Sequence, residues 1–192
     1  MGPTAQALVE LARTSIASGR AVAARSKSLS IVCDQLEHTQ ANLAQLEQEI
    51  DQLLSNDPQA RRLLAVTEFG PLTVVVLRAE LGDVQRFTRM DQVVAYVGLD
   101  IQVKQSGKWK GQRKLSKQGS GRVRRLLYLA ALRSLHEKHS PFKDYYQRLL
   151  DRGMKKGMAL VAVMRKMIIV AVHLLKTQDF YDANKVGIQW VS

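Results

Sequence analysis

Apolar residues recur along the first third of the chain at two interleaved positions. Leu29, Leu36, Leu43 and Ile50 lie seven apart, and Val32, Thr39, Leu46 and Leu53 follow three residues behind them. An a/d pattern held over four heptads predicts a helix that pairs with another helix along a narrow seam. Glu37, Glu47, Glu49 and Asp51 fall between the stripes, and no Gly or Pro interrupts Arg20 to Asp57, so propensity favours one long helix. The seam fits a coiled coil with a second copy of the chain. A hairpin folded back on Ala5–Ala24 satisfies the same pattern.

Asn56-Asp57-Pro58 breaks the helix and starts another, with Asp as N-cap and Pro at the first helical position. Pro58 to Val66 then reads as a short helix, Phe69-Gly70-Pro71 as a tight turn, and Leu72 to Leu81 as a second short helix stopped by Gly82. That is a helix–hairpin–helix outline. A third helix, Asp91 to Val97, ends at Gly98. Ile101–Gln105 and Trp109–Leu115 flank Ser106-Gly107-Lys108, which predicts a small β-hairpin. After Gly119 and Gly121, Val123, Leu126, Leu127 and Ala130 share a helical face, and helices at Phe142 to Leu150 and Met158 to Lys176 precede an unpatterned tail. The fold class is mainly α: a long coiled-coil helical arm (1–57), then a compact helical domain (58–178) with a helix–hairpin–helix-like start and a small β-hairpin, then a tail (179–192).

Composition agrees with a folded chain. Its 192 residues are 46% hydrophobic with only 12 Gly and 4 Pro, which excludes collagen-like and wholly disordered classes. The apolar run from Met158 to Leu175 carries Arg165, Lys166 and His173, which are costly in a bilayer, so it predicts a core helix and no membrane. No basic start leads into an apolar stretch, so no secretory signal is expected. A single cysteine, Cys33, permits no internal disulfide and no thiolate zinc site. His38, His136, His139 and His173 are dispersed, and no metal site is expected.

Charge divides the chain more sharply than hydropathy does. The net charge is +12, yet residues 1–60 carry 4 basic against 7 acidic side chains, leaving +15 on the rest. Between Ile101 and His136 stand ten Lys and Arg and no Asp or Glu. Nine of these, Lys104, Lys108, Lys110, Arg113, Lys114, Lys117, Arg122, Arg124 and Arg125, lie on the expected hairpin and the adjoining helix start. Such a stripe suits a phosphate backbone, because each neutralised phosphate releases counterions. Trp109 among them either stacks on a base or caps the core beneath it. Ser106 sits in a Ser-Gly turn, which turn chemistry alone explains. Among those cations its hydroxyl is also placed to attack a phosphodiester, the cations stabilising the charge that develops. Glu68, two residues before Gly70, argues against a phosphate grip at the first turn, and Lys117-Gln118-Gly119-Ser120-Gly121 lacks the spacing of an NTPase phosphate loop.

Several runs together resemble a known family. Leu64-Ala65-Val66-Thr67-Glu68-Phe69-Gly70-Pro71-Leu72-Thr73, Ala79-Glu80-Leu81-Gly82-Asp83, Ala95-Tyr96-Val97-Gly98-Leu99, Gln105-Ser106-Gly107 and Leu115-Ser116-Lys117-Gln118-Gly119 are similar to the C-terminal domain of IS110/IS116/IS902 insertion-sequence transposases. Arg122, Leu126-Leu127-Tyr128, Tyr145-Tyr146 and Ala159 to Lys166 extend the resemblance over about residues 58–176. The resemblance implies a bacterial, cytoplasmic, nucleoid-associated protein that acts on DNA with a guide RNA. It further implies a homodimer or higher oligomer assembled through the arm, and Ser106 as the nucleophile that forms a transient 5′-phosphoserine link. In that family a RuvC-like domain with an Asp-Glu-Asp-Asp set precedes the coil. Nothing before residue 58 resembles it, so Mg²⁺ is implied only for that domain and no cofactor is expected within this chain.

Thr67-Glu68-Phe69-Gly70 also departs from the family's usual Pro-Gly-Ile-Gly turn. The expected function is thus a serine-bearing, DNA-binding transposase module, incomplete without a RuvC-like partner. The alternatives are a non-catalytic dimeric nucleic-acid-binding protein or regulator of the full-length enzyme, and a helical protein-interaction module.

Overall fold

Helix punctuation sets the element order. In the computed structural model, which describes residues 4–15, 19, 21–106, 109–177 and 179–184, Thr4 caps α1 (Ala5–Thr14) by accepting from the Ala7 amide at 3.4 Å. The uninterrupted stretch after Gly19 becomes α2 (Val22–Asn56). The chain divides into two compact units, residues 1–47 and 48–192. In the first, every described residue of α1 is exposed, and Leu29, Val32, Leu36, Leu43 and Leu46 of α2 are between 55% and 65% exposed. The folded-back alternative is therefore not the arrangement found, since α1 leaves the seam open.

The second unit begins inside α2, earlier than the helix break at Asp57. Leu54 is buried and Ile50 packs against the core, so the last turns of α2 belong to the domain that follows. Asp57 then caps α3 (Pro58–Leu64) through the Gln59 amide at 2.8 Å and reaches Arg78 at 2.9 Å, tying the start of α3 to α4 (Pro71–Leu81). Burial pushes the Asp57 carboxyl up, but the Arg78 hydrogen bond, the Gln59 and Ala60 amides and the Arg78 charge outweigh it and hold it below the ordinary carboxylate range.

A short 3-10 turn, Val84–Arg86, follows Gly82, and α5 (Met90–Tyr96) ends at Gly98. Two antiparallel strands, β1 (Ile101–Ser106) and β2 (Trp109–Leu115), make the sole sheet among the described residues. Then come α6 (Gly121–His136), α7 (Pro141–Asp151) and α8 (Lys156–Thr177). The domain is mainly α.

The core forms around α8, which packs on α3, α5, α6, α7 and the 3-10 turn. Met167, Ile168, Leu174 and Leu175 meet Leu63, Leu77, Leu81, Leu127 and Phe142, all fully buried. By length and composition α8 is apolar enough to cross a membrane, but 61% of that stretch is buried inside the fold, as a core helix requires.

Candidate nucleic-acid interface

The ribbon's register follows from its ends. Ile101 pairs with Leu115 at the base and Ser106 with Trp109 at the tip. Between Val103↔Arg113 and Gln105↔Lys110 one strand advances two residues and the other three, so Gly111 and Gln112 together face Lys104 as a bulge. The five steps from Ile101 to Ser106 carry the serine about 17 Å from the base of the ribbon. Lys110, Arg113 and Lys114 occupy β2 positions opposite Gln105, Val103 and Gln102. Lys108 lies outside the described residues.

The base of the ribbon is pinned to the domain. The Ser116 amide donates to the Asp100 carbonyl at 3.0 Å, and the Ser116 hydroxyl donates to the Asp100 carboxylate. Lys117 then takes a left-handed conformation, φ 54°, and is exposed. Gly119, at φ 147°, lies so close to the end of α5 that a Cβ there would sit 2.2 Å from the Tyr96 carbonyl oxygen, so only glycine fits. Arg124 closes the junction, donating from one guanidinium nitrogen to the Val97 and Gly119 carbonyls at 3.0 Å each. Its charge works inside the fold.

Arg122 and Arg125 are exposed and form no ion pair among the described residues. Ser120 caps α6, accepting from the Val123 amide at 3.3 Å, and no acid stands in the first turn. Cations beside the positive end of a helix dipole are locally unfavourable. An anion at this end would remove the conflict, and exposed Lys117, Arg122 and Arg125 lie at or just before this helix start.

The α3–α4 turn is organised otherwise. Glu68 is 1% exposed and accepts from the hydroxyls of Ser140 and, at 3.1 Å, Thr67, while Arg133 donates to the Thr67 carbonyl at 3.4 Å. The acid expected to repel a phosphate thus points inward and braces the turn against the start of α7. Beside it the Tyr181 hydroxyl is buried without a partner, and burial, then the Glu68 and Asp182 charges, pushes its pKa up. Among the described residues no group of three or more His, Cys, Asp or Glu stands close enough to hold a metal ion.

The inward roles of Arg124 and Glu68 were missed by sequence reasoning. Along the sequence Arg122, Arg124 and Arg125 read as one basic cluster, but residues two apart on a helix do not share a face, and Arg124 meets the Val97 carbonyl 27 residues away. A usable signal was present in Gly98 and Gly119, which bracket a close backbone approach.

Comparison with known proteins fits this arrangement. Residues 60–147, from α3 into α7, match the model of the transposase IS116/IS110/IS902 family. The chain is 24% identical over 168 residues to the "Pilin gene-inverting protein" of Moraxella bovis, covering 82% of this chain and 52% of that one. It is 29% identical over 151 residues to the "Probable family 20 transposase" of Pseudomonas aeruginosa, covering 77% and 44%. It is 28% identical over 139 residues to the "Transposase for insertion sequence element IS1111A" of Coxiella burnetii, covering 70% and 38%. Residues 60–147 are therefore a transposase domain of the IS116/IS110/IS902 family. The chain spans about half the length of the first curated relatives it matches.

Proposed function

We propose that this chain is the DNA-binding, serine-bearing module of an insertion-sequence transposase. The observation that carries the reading is the junction of a family-matched domain with a β-ribbon ending in Ser106 and a helix start presenting Arg122 and Arg125 to solvent. The relatives are named for transposition and for gene inversion, both rearrangements of DNA, which supports a strand-exchange chemistry. In the proposed step the Ser106 oxygen forms a bond to a DNA phosphorus and the P–O3′ bond breaks. The product is a 5′-phosphoserine and a free 3′ hydroxyl, on which the serine's proton ends, so no oxidant or reductant is consumed. Lys117, Arg122 and Arg125 grip the neighbouring backbone, and the ribbon cations stabilise the phosphorane charge.

Assembly goes through the open heptad seam of α2, whose apolar residues a second copy would cover. A RuvC-like domain with Mg²⁺, a guide RNA and the bacterial cytoplasm complete the setting this reading calls for. The test is adduct trapping on labelled, pre-nicked duplex DNA, with and without a supplied RuvC-like domain and Mg²⁺, followed by denaturation. A covalent product lost in Ser106→Ala, with duplex affinity kept, is the expected result. Salt-dependent binding with no adduct under either condition would make the chain a DNA-binding regulator instead.

A further inference from the structure

Lys166 is the one described charged side chain that is both buried, at 5% exposure, and without any hydrogen-bond partner at its Nζ. An uncompensated buried cation is strongly unfavourable, so a fold that keeps one invites a search for its counter-charge. Burial pushes the amine's pKa down, and the Arg148 charge lowers it further. Nothing in the DNA-facing group described above uses this residue.

Lys166 lines a cavity of about 670 Å³ between α5, α7 and α8. Arg165 and Arg89 also line it. The cavity's one acid, Asp91, is already engaged by Arg89 at 2.6 Å. The Gln92 side chain ties off the rim by accepting from the Thr88 and Arg89 amides at 2.8 and 3.2 Å. The rest of the lining is largely soft and apolar: Met90, Met154, Met158, Ile169 and the Tyr145 ring. Thioethers and an aromatic ring suit a flat, polarisable body, and paired lysine and arginine suit a phosphate. The volume falls within the usual range for small-ligand sites, roughly 300–1,000 Å³.

We propose that this cavity is a nucleotide-binding site, taking one nucleoside monophosphate unit with its phosphate on Arg165 and on the Lys166 amine, whose side chain turns from its buried position to meet it, and its base against the methionines and Tyr145. The unit comes either from the free mononucleotide pool or from the 5′-phosphorylated end of a DNA strand. The second source rests on the transposase reading, and the first does not.

Thermal unfolding of the full chain separates the cases. At ten times a Kd of about 1 mM or tighter, 2′-deoxyadenosine 5′-monophosphate should raise Tm by about 3–6 °C, more than inorganic phosphate or deoxyadenosine at equal concentration. Lys166→Met should abolish that rise while itself raising the ligand-free Tm, because it removes a buried unpaired charge. Should Lys166→Met not fold, Ala162→Phe fills the cavity without touching its charges and should abolish the rise equally. A rise equal in wild type and Lys166→Met, or no rise with any of the three probes, overturns the site. A 5′-phosphorylated hexathymidylate that outperforms its unphosphorylated form, again only with Lys166 present, assigns the strand end as the source. Arg122→Gln/Arg125→Gln should keep the mononucleotide response and weaken duplex binding. A chain that fails to bind duplex yet keeps a Lys166-dependent mononucleotide response would sink the transposase reading and leave the site standing.

Discussion

The two longest described helices, α2 with 35 residues and α8 with 22, show opposite fates for apolar residues. Along α2 the leucines recur as a strip one side chain wide, and all but its last turns are open to solvent. Around α8 apolar residues occupy most positions, so four neighbouring helices bury it on nearly every side. A narrow heptad stripe leaves the choice of partner open, whereas an apolar surface that wraps the helix is satisfied only inside a core. One helix is an unfinished interface and the other is the axis on which a domain closes.

The largest effects should separate the two. Leu174→Ala in α8 removes a fully buried side chain and should cost about 2–5 kcal/mol, read from urea unfolding. Leu36→Ala in α2 should leave dilute-chain stability within about 0.5 kcal/mol and instead weaken self-association, read by sedimentation. Equal losses from the two substitutions would mean that arm and domain fold as one body, and the contrast would fail.

Gly119→Ala tests whether a surface junction can be as unforgiving as the core. The residue is exposed, but its φ of 147° and the 2.2 Å approach of a Cβ to the Tyr96 carbonyl leave no room for a side chain. Strain and displaced backbone should cost about 2–4 kcal/mol and loosen the ribbon's attachment, visible as faster amide exchange at Gly98 and Leu99.

Legibility from sequence follows the same divide. Helices α3, α4 and α5 were readable because Pro58, Pro71, Gly82 and Gly98 punctuate them, and α6 because Val123, Leu127 and Ala130 hold their period. The 3-10 turn at Val84–Arg86 was not readable, since three residues carry no periodicity. Neither was the start of the second unit within α2: Ile50 and Leu54 look like any other seam positions until a core is there to receive them. Of the candidate site, side chains with inward partners, Arg124 and Glu68, looked the same in the sequence as those facing water. Periodicity records which face is apolar and carries nothing about which polar group meets a carbonyl from a distant segment.

Inside the second unit, at the start of α3, Asp57→Ala removes an N-cap and a partly exposed ion pair. It should cost about 1–2 kcal/mol. The sign with pH follows from the depressed carboxyl. Its contribution is full above the ordinary aspartate pKa of about 3.9 and is lost as pH falls through the lower folded value. The stability gap between wild type and Asp57→Asn should therefore be constant from pH 7 to about 5 and close below about 4. A gap that widens in acid would reverse the assignment.

The smallest effect on folding makes the sharpest functional distinction. Arg122 and Arg124 are two residues apart on α6, yet one faces solvent and the other donates to Val97 and Gly119. Arg124→Gln should cost about 1–2 kcal/mol of stability by leaving those carbonyls short of a donor. Arg122→Gln should change stability by less than about 0.5 kcal/mol and lower the slope of log affinity against log salt for duplex DNA by about 1. The first substitution would also weaken binding, but through the fold, with the slope kept among molecules that remain native. An unchanged slope in Arg122→Gln would remove the start of α6 from the interface and leave the ribbon alone to meet the backbone.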